Sequence, residues 1–255
     1  MTNCMLSDQP RTGRHGLRAA LIGVRALLGV TALMCLLFFS MPAGANEADT
    51  FNAMVALANK GDAEAQYHVG MMHNNGIGTQ KDPKQALEWF QKSAASNDPL
   101  GAYKLGCYYD GQFGVVTPDA NEALKYKLIS AKAGYSLAQH DVALLYGRQE
   151  NFEEVVKWLK MAGDQGSPEA LYKLSGSYFQ GKGVPKDRSL AYAYFKLSQV
   201  PSRKMVSEMA ATLSKPELET AEKLVSEWKP QPTALTLKAK RGVQAAEELL
   251  KPAKK

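Results

Sequence analysis

Cysteine is scarce in this chain and poorly placed for bridging: of three residues, Cys4 and Cys35 precede position 45 and only Cys107 follows it. A disulfide framework is thereby excluded for the part after residue 45, whose stability must come from packing. Cys107 itself reads as a half-buried small hydrophobe. Histidine is equally sparse. His68, His73 and His140 lack metal-ligand spacing, and the first two, five residues apart on a helix, point about 140° away from each other. No metal or cofactor site is expected. Long apolar runs are missing as well, because the one candidate, residues 26–39, is short for a bilayer span and Arg25 blocks its extension. Nor does the body carry a charge of one sign. The formal +6 divides into +3 in residues 1–45 (four Arg against Asp8), +5 in residues 229–255 (seven Lys/Arg against two Glu) and hence about −2 between them. The basicity belongs to the ends, so nucleic-acid binding is not indicated.

The basic start has its own explanation. Arg11, Arg14, Arg18 and Arg25 precede the apolar run, and Ala43-Gly44-Ala45 follows it, the layout of a secretory signal peptide cut after Ala45. The expected destination is the periplasm or the exterior. A lipoprotein signal at Cys35 fails because Met34 stands where a small residue is needed, and no twin-arginine pair is present.

What the remaining residues do have is repetition. Residues 167–199 read as two amphipathic helices joined by a Gly-rich turn, with Ser167 as N-cap, Pro168 at the first helical position and Glu169 in the first turn. Ala170, Leu174, Ser175 and Tyr178 share one face of the first helix. Gly181, Gly183 and Pro185 break it, and Asp187 caps a second helix carrying Ala191, Tyr194 and Ser198. The same pattern opens at Ala65, Gly101 and Ala138, so the aligned position advances by 36, 37 and 32 residues, a spacing that predicts an all-helical solenoid. Four units follow, at 62–98, 99–135, 136–166 and 167–200. A capping helix is expected at 46–61, two capping helices at 201–228, and a basic flexible tail at 229–255. The third unit has a shortened turn, residues 147–151, without the Gly-x-Gly of the others. Gly70 and Gly106 recur at one helical position at a cost of roughly 1 kcal/mol each relative to Ala, which points to close helix approach there.

These residues resemble the Sel-1-like repeat family, relatives of the tetratricopeptide repeats. The family pattern of Ala-x3-Leu-Gly-x2-Tyr-x2-Gly-x-Gly-Val-x2-Asp, then Ala-x2-Trp/Tyr, is met by Ala170, Leu174, Tyr178, Gly181, Gly183, Val184, Asp187, Ala191 and Tyr194. It is met nearly as well by Ala65, Val69, Gly70, Gly76, Gly78, Asp82, Ala86 and Trp89. The resemblance covers roughly residues 62–199. It implies a right-handed superhelix acting as an adaptor in multiprotein assemblies, with exported bacterial members in envelope signalling, secretion or host contact. One secreted, cysteine-rich branch is associated with penicillin binding, and this chain lacks that branch's paired cysteines.

By similarity to tetratricopeptide geometry, the first helix of each unit lines the concave face. Tyr67, Tyr103, His140 and Tyr172 then form one row, and Met71, Cys107, Leu144 and Gly176 another, with Asn74, Asp110, Arg148 and Phe179 at the border. Such a row suits the grip of an extended or helical peptide, since tyrosine offers contact area and a polar tip. Packing against the next repeat explains tyrosines there equally well. Catalytic signatures do not survive inspection. Residues 176–183 mimic a phosphate loop but end in Gly and follow no strand, and Ser226-x-x-Lys229 lacks its partner motifs. The expectation is a non-enzymatic, exported scaffold for a protein or peptide of the cell envelope. The alternative is a cell-wall-directed enzyme or ligand binder related to penicillin-binding relatives. The Lys-rich tail adds, at most, weak contact with an anionic surface.

Overall fold

A computed structural model describes residues 47–251; the expected leader and residues 252–255 lie outside them. Among the described residues there are thirteen α-helices and no strand. A single helix, α1 (Glu47–Ala58), precedes four hairpins: α2 (Ala63–Asn75) with α3 (Pro83–Ala95), α4 (Pro99–Tyr109) with α5 (Ala120–Lys132), α6 (Ser136–Arg148) with α7 (Phe152–Asp164), and α8 (Pro168–Gln180) with α9 (Arg188–Leu197). Then come α10 (Arg203–Ala210), α11 (Lys215–Glu227), α12 (Ala234–Arg241) and α13 (Val243–Leu249). Each helix from α1 to α9 packs mainly on its neighbours in sequence, as a one-dimensional stack requires.

The helix starts follow from local chemistry. Asp62, Asp82, Asp98, Asp119, Asn151, Ser167 and Asp187 each accept a first-turn backbone N–H and so cap seven of the eight repeat helices. The exception is α6, whose N-cap position is Tyr135 and which has no side-chain cap of its own.

Small residues line the seams both within a hairpin and between one hairpin and the next, where a Cβ on Gly101 would lie 2.6 Å from Ser93 Cβ. Ala65, Ala86, Ala123, Ala138, Ala162, Ala170 and Ala191 are all fully buried. A Cβ on Gly70 would lie 2.6 Å from the Phe90 ring, and one on Gly106 would lie 2.8 Å from Lys127 Cγ, so glycine at this position admits a large side chain from the second helix. The turn glycines serve a similar end. A Cβ on Gly78 would sit 2.1 Å from the Glu47 carbonyl oxygen and one on Gly183 2.1 Å from that of Phe152, so each Gly-x-Gly turn seats directly on the start of an earlier helix.

Two expectations need correcting. Cys107, expected to be half-buried, is fully buried. The segment expected to be a flexible tail is a strap that runs back along the turns between repeats. Pro230 packs on Gly166, and the Gln231 N–H donates to the Asp164 carbonyl at 2.8 Å. Thr233 donates its hydroxyl to the Gly134 carbonyl at 2.7 Å. Thr236 accepts the Ser136 N–H at 2.9 Å and donates to Gln165 Oε1 at 2.7 Å, giving α6 the cap that its own sequence lacks. Further on, Lys238 reaches Glu64 at 2.6 Å, and Ala246 joins Met54, Ala58, Val69 and Trp89 in the core beneath α1 and α2. The strap is ordered because it satisfies buried polar groups that nothing local can reach.

Glu64 marks the strap's ionic tie. The neighbouring His68 (3.7 Å) holds the carboxyl down against its partial burial, and Lys238 adds to the effect, lowering it from the ordinary 4.5 to about 2. A carboxyl depressed on folding stabilises above its unfolded value, so this tie is intact above about pH 4.5 and is lost as the pH falls toward about 2.

Replacing Thr236 with Val is expected to leave the Ser136 N–H buried and unsatisfied, at a cost of roughly 1–3 kcal/mol. Thermal denaturation should then show a melting point lower by roughly 2–10 °C. An unchanged melting point would mean that the strap adds nothing to the stack.

Candidate protein-binding face

The first helices of the four hairpins, α2, α4, α6 and α8, form the face on which the row of expected contact residues falls. That row divides. Tyr67, Tyr103 and His140 are buried, at 9%, 1% and 3% exposure, whereas Tyr172 is 42% exposed. Tyr67 packs against Phe90, and Tyr103 meets Tyr135 edge-on at 5.0 Å. Asn74 is fully buried and accepts the Tyr108 hydroxyl at 2.8 Å. Met71 packs on the same core. Tyr172 lies against Phe195, while Phe179, 59% exposed, borders a separate hollow with Lys186, Arg188 and Glu217. The expected residues therefore do not form one continuous exposed stripe.

Two local arrangements replace it. The first is a buried ionic cluster centred on Lys127 of α5. This residue occupies the position that holds Phe90, Leu159 and Phe195 in the other repeats, yet it is a fully buried lysine. Its ammonium passes beside Gly106 to Asp110 Oδ2 at 2.8 Å and Asp141 Oδ2 at 3.1 Å. Arg148 also meets Asp110, at 3.1 Å, and the Tyr103 hydroxyl donates to Asp141 at 3.2 Å. Burial pushes the Asp141 carboxyl upward, but the His140 imidazole 3.7 Å away and the Lys127 ammonium outweigh it and hold Asp141 below the usual carboxylate range. Two cations and two carboxylates balance, so the cluster reads as a lock between α4, α5 and α6. The sequence signal was available: a lysine at a position that is apolar in the other three copies.

The second arrangement is a cleft of about 410 Å³ between α6, α7 and α8. Its apolar wall comes from Ala143, Leu144, Phe152, Val155 and Leu159, and its polar rim from Arg148, Lys173, Ser177, Gln180 and Lys182. The shortened turn of the third repeat opens onto it through Gly147 and Arg148. Leu144 and Arg148 were expected at the face; Lys173, Lys182 and Phe152 were not, because they come from the next hairpin and from a second helix.

Ser226 donates its hydroxyl to the Lys223 carbonyl at 2.8 Å on the exposed end of α11. Among the described residues no group of three or more His, Cys, Asp or Glu is placed to hold a metal ion.

Comparison with known proteins agrees with this geometry. The Sel1 repeat profile matches residues 63–98, 99–135, 136–167 and 168–198. The chain belongs to the Sel1 repeat family. It is 33% identical over 128 residues to the sel1-like repeat-containing protein L21 of Acanthamoeba polyphaga mimivirus, covering 49% of this chain and 23% of that protein. It is 28% identical over 148 residues to chitin synthase regulatory factor 3 of Schizosaccharomyces pombe, covering 54% and 16%. To chitin synthase regulator SKT5 of Saccharomyces cerevisiae it is 28% identical over 147 residues, covering 54% and 21%. The alignments thus span less than a quarter of these relatives' own length. The crystal structure of a Sel1 repeat protein from Oxalobacter formigenes superposes over 80% of each chain with a TM-score of 0.56 at 22% identity, a likeness of fold. Sel1 repeats are generally protein-interaction modules.

Replacing Lys127 with Met is expected to leave Asp110 and Asp141 buried without their shared cation, at a cost of about 3 kcal/mol near neutral pH. Because Asp141 is depressed in the folded protein, its contribution is present above the ordinary carboxylate value and lost on acidification. The stability gap between wild type and variant should therefore narrow as the pH drops through about 4. Urea denaturation at several pH values measures this, and a gap independent of pH would remove the cluster from the account.

Proposed function

We propose that this chain is a non-enzymatic adaptor that works outside the cytoplasm and binds a segment of a partner protein on the face formed by α2, α4, α6 and α8. The observation that carries the reading is the cleft beside Leu144 and Gly176, which is open on that face and combines an apolar wall with a polar rim. Interface anchors bind best in such hollows, where an inserted side chain loses its water on all sides. The solenoid supplies a rigid frame for it, since α6, α7 and α8 are locked by the seam and the strap. Two fungal relatives are named as regulators of chitin synthase, which suits a module whose work is done on another protein. Export is supported by the basic, apolar and small-residue succession ending at Ala45.

A photo-crosslinking amino acid at Ser177, within the cleft, is expected to give a discrete heavier adduct in intact cells. The same residue at Lys160, exposed on the opposite helix layer, should give none. Equal adducts from both positions would overturn the assignment of the face. N-terminal sequencing of the accumulated protein is expected to begin at Asn46, and a retained leader would overturn export.

A further inference from the structure

Gly176 has no structural reason to be glycine. Among the helical glycines of the described residues it is the one at which an added Cβ would meet nothing within 4 Å, whereas Gly70, Gly101 and Gly106 are each pressed against a neighbour closer than 3 Å. Its backbone is helical, so no left-handed conformation requires it. Glycine inside a helix costs roughly 1 kcal/mol relative to alanine. At the same repeat position the other hairpins carry Met71, Cys107 and Leu144, side chains that fill the space. In the fourth hairpin that space is left empty, and it is the cleft.

The surrounding charges are of one sign. Lys173, Lys182 and Arg148 line the cleft, and no Asp or Glu does. Arg148 is shared with Asp110, but among the described residues neither Lys173 nor Lys182 pairs with a carboxylate, and the Lys182 ammonium stands 4.6 Å from the centre of the Phe152 ring. Apolar walls beneath converging cations strengthen the local field and favour an anion that also brings an apolar group. A volume of about 410 Å³ lies at the small end of ligand pockets, which run from roughly 300 to 1,000 Å³, and suits one large side chain.

We propose that the cleft between α6, α7 and α8 binds an acidic segment of a partner protein, with one aromatic or large aliphatic side chain seated against Leu144, Val155 and Gly176 and flanking carboxylates on Lys173 and Lys182. The proposal rests on the adaptor reading of this face and gives its ligand a chemistry. Nucleic acid and anionic lipid are disfavoured, because both need cations spread along an extended surface and these converge on one hollow.

The test is fluorescence polarisation of the purified full-length protein with a labelled peptide, Asp-Glu-Phe-Glu-Asp. Its controls are a peptide with Lys in place of every acid and one with Ala in place of Phe, with phosphatidylglycerol vesicles and single-stranded DNA as competitors. The acidic aromatic peptide is expected to bind at least roughly tenfold more tightly than either control peptide. Its affinity should fall with added salt. Gly176→Trp places an indole in the cleft, and Lys173→Glu with Lys182→Glu reverses the rim; each should weaken binding by roughly tenfold or more while circular dichroism stays as in wild type and melting does not fall. Gly176→Leu serves as the smaller plug should the indole perturb the helix. Equal affinity for acidic and basic peptides, binding undiminished by the plugged variants, or displacement of the peptide by vesicles or DNA would each overturn the proposal. If no acidic peptide binds yet Gly176→Trp abolishes the adduct formed through Ser177, the ligand chemistry is wrong and the adaptor face stands; loss of the adduct assignment removes both.

Discussion

Everything in this molecule depends on how closely two helices can approach within one hairpin. Alanine at one repeated position and glycine at another bring the helix pairs together, so that a bulky group from the second helix, Phe90 or the stem of Lys127, lies across the backbone of the first. The approach sets the hairpin's angle, and the hairpin's angle sets how the next unit stacks. Dispersion contacts are weak singly, and only a close seam gathers enough of them to hold a stack whose helices pack mainly on their neighbours in sequence. Lys127 shows how far the constraint can be bent. A lysine accepted in the seam is tolerable only because Asp110 and Asp141 stand within salt-bridge distance of its ammonium.

A stack joined only between neighbours can bend, and this one is tied along its edge. Residues 230–249 cross from the end of α7 to the core under α1 and α2, touching Gly166, Gly134 and Glu64 on the way. The tie completes helix α6 as well as bracing the stack, since the only uncapped repeat helix receives its cap from Thr236. Gln165 is the hub: it accepts from Thr233 and Thr236 and donates to Gly134 and Gln139, linking the strap to two inter-repeat turns. The cleft lies beside α6, the helix that the strap completes.

The repeats were legible because their information is local. Ala65, Gly101, Ala138 and Ala170 announce the period, the Asp and Ser caps mark each start, and the turn glycines mark each end. The strap was not legible for the opposite reason. Thr233 and Thr236 meet partners about a hundred residues away, and Lys238 meets Glu64 174 residues away, so a Lys-rich stretch after two prolines reads as solvated until the stack exists to receive it. The expected contact row misled for a related reason: a repeat position fixes the helix face but leaves open how much of that face neighbouring groups cover. Tyr67, Tyr103 and His140 share a register with Tyr172, yet three are buried and one is exposed. The cleft was half legible. Leu144 and Gly176 stood in the right row, but the significance of Gly176 appears only when the space in front of it is found to be empty.

A solenoid of this kind presents many surfaces, and the account assigns recognition to one of them. Hydrogen–deuterium exchange on the full-length protein, with and without a saturating acidic aromatic peptide, tests that assignment directly. Protection is expected in two stretches, 143–155 and 173–182, which frame the cleft, with the seam helices and the strap unchanged. Protection on the outer helices α3 and α5, or along residues 230–249, would contradict it.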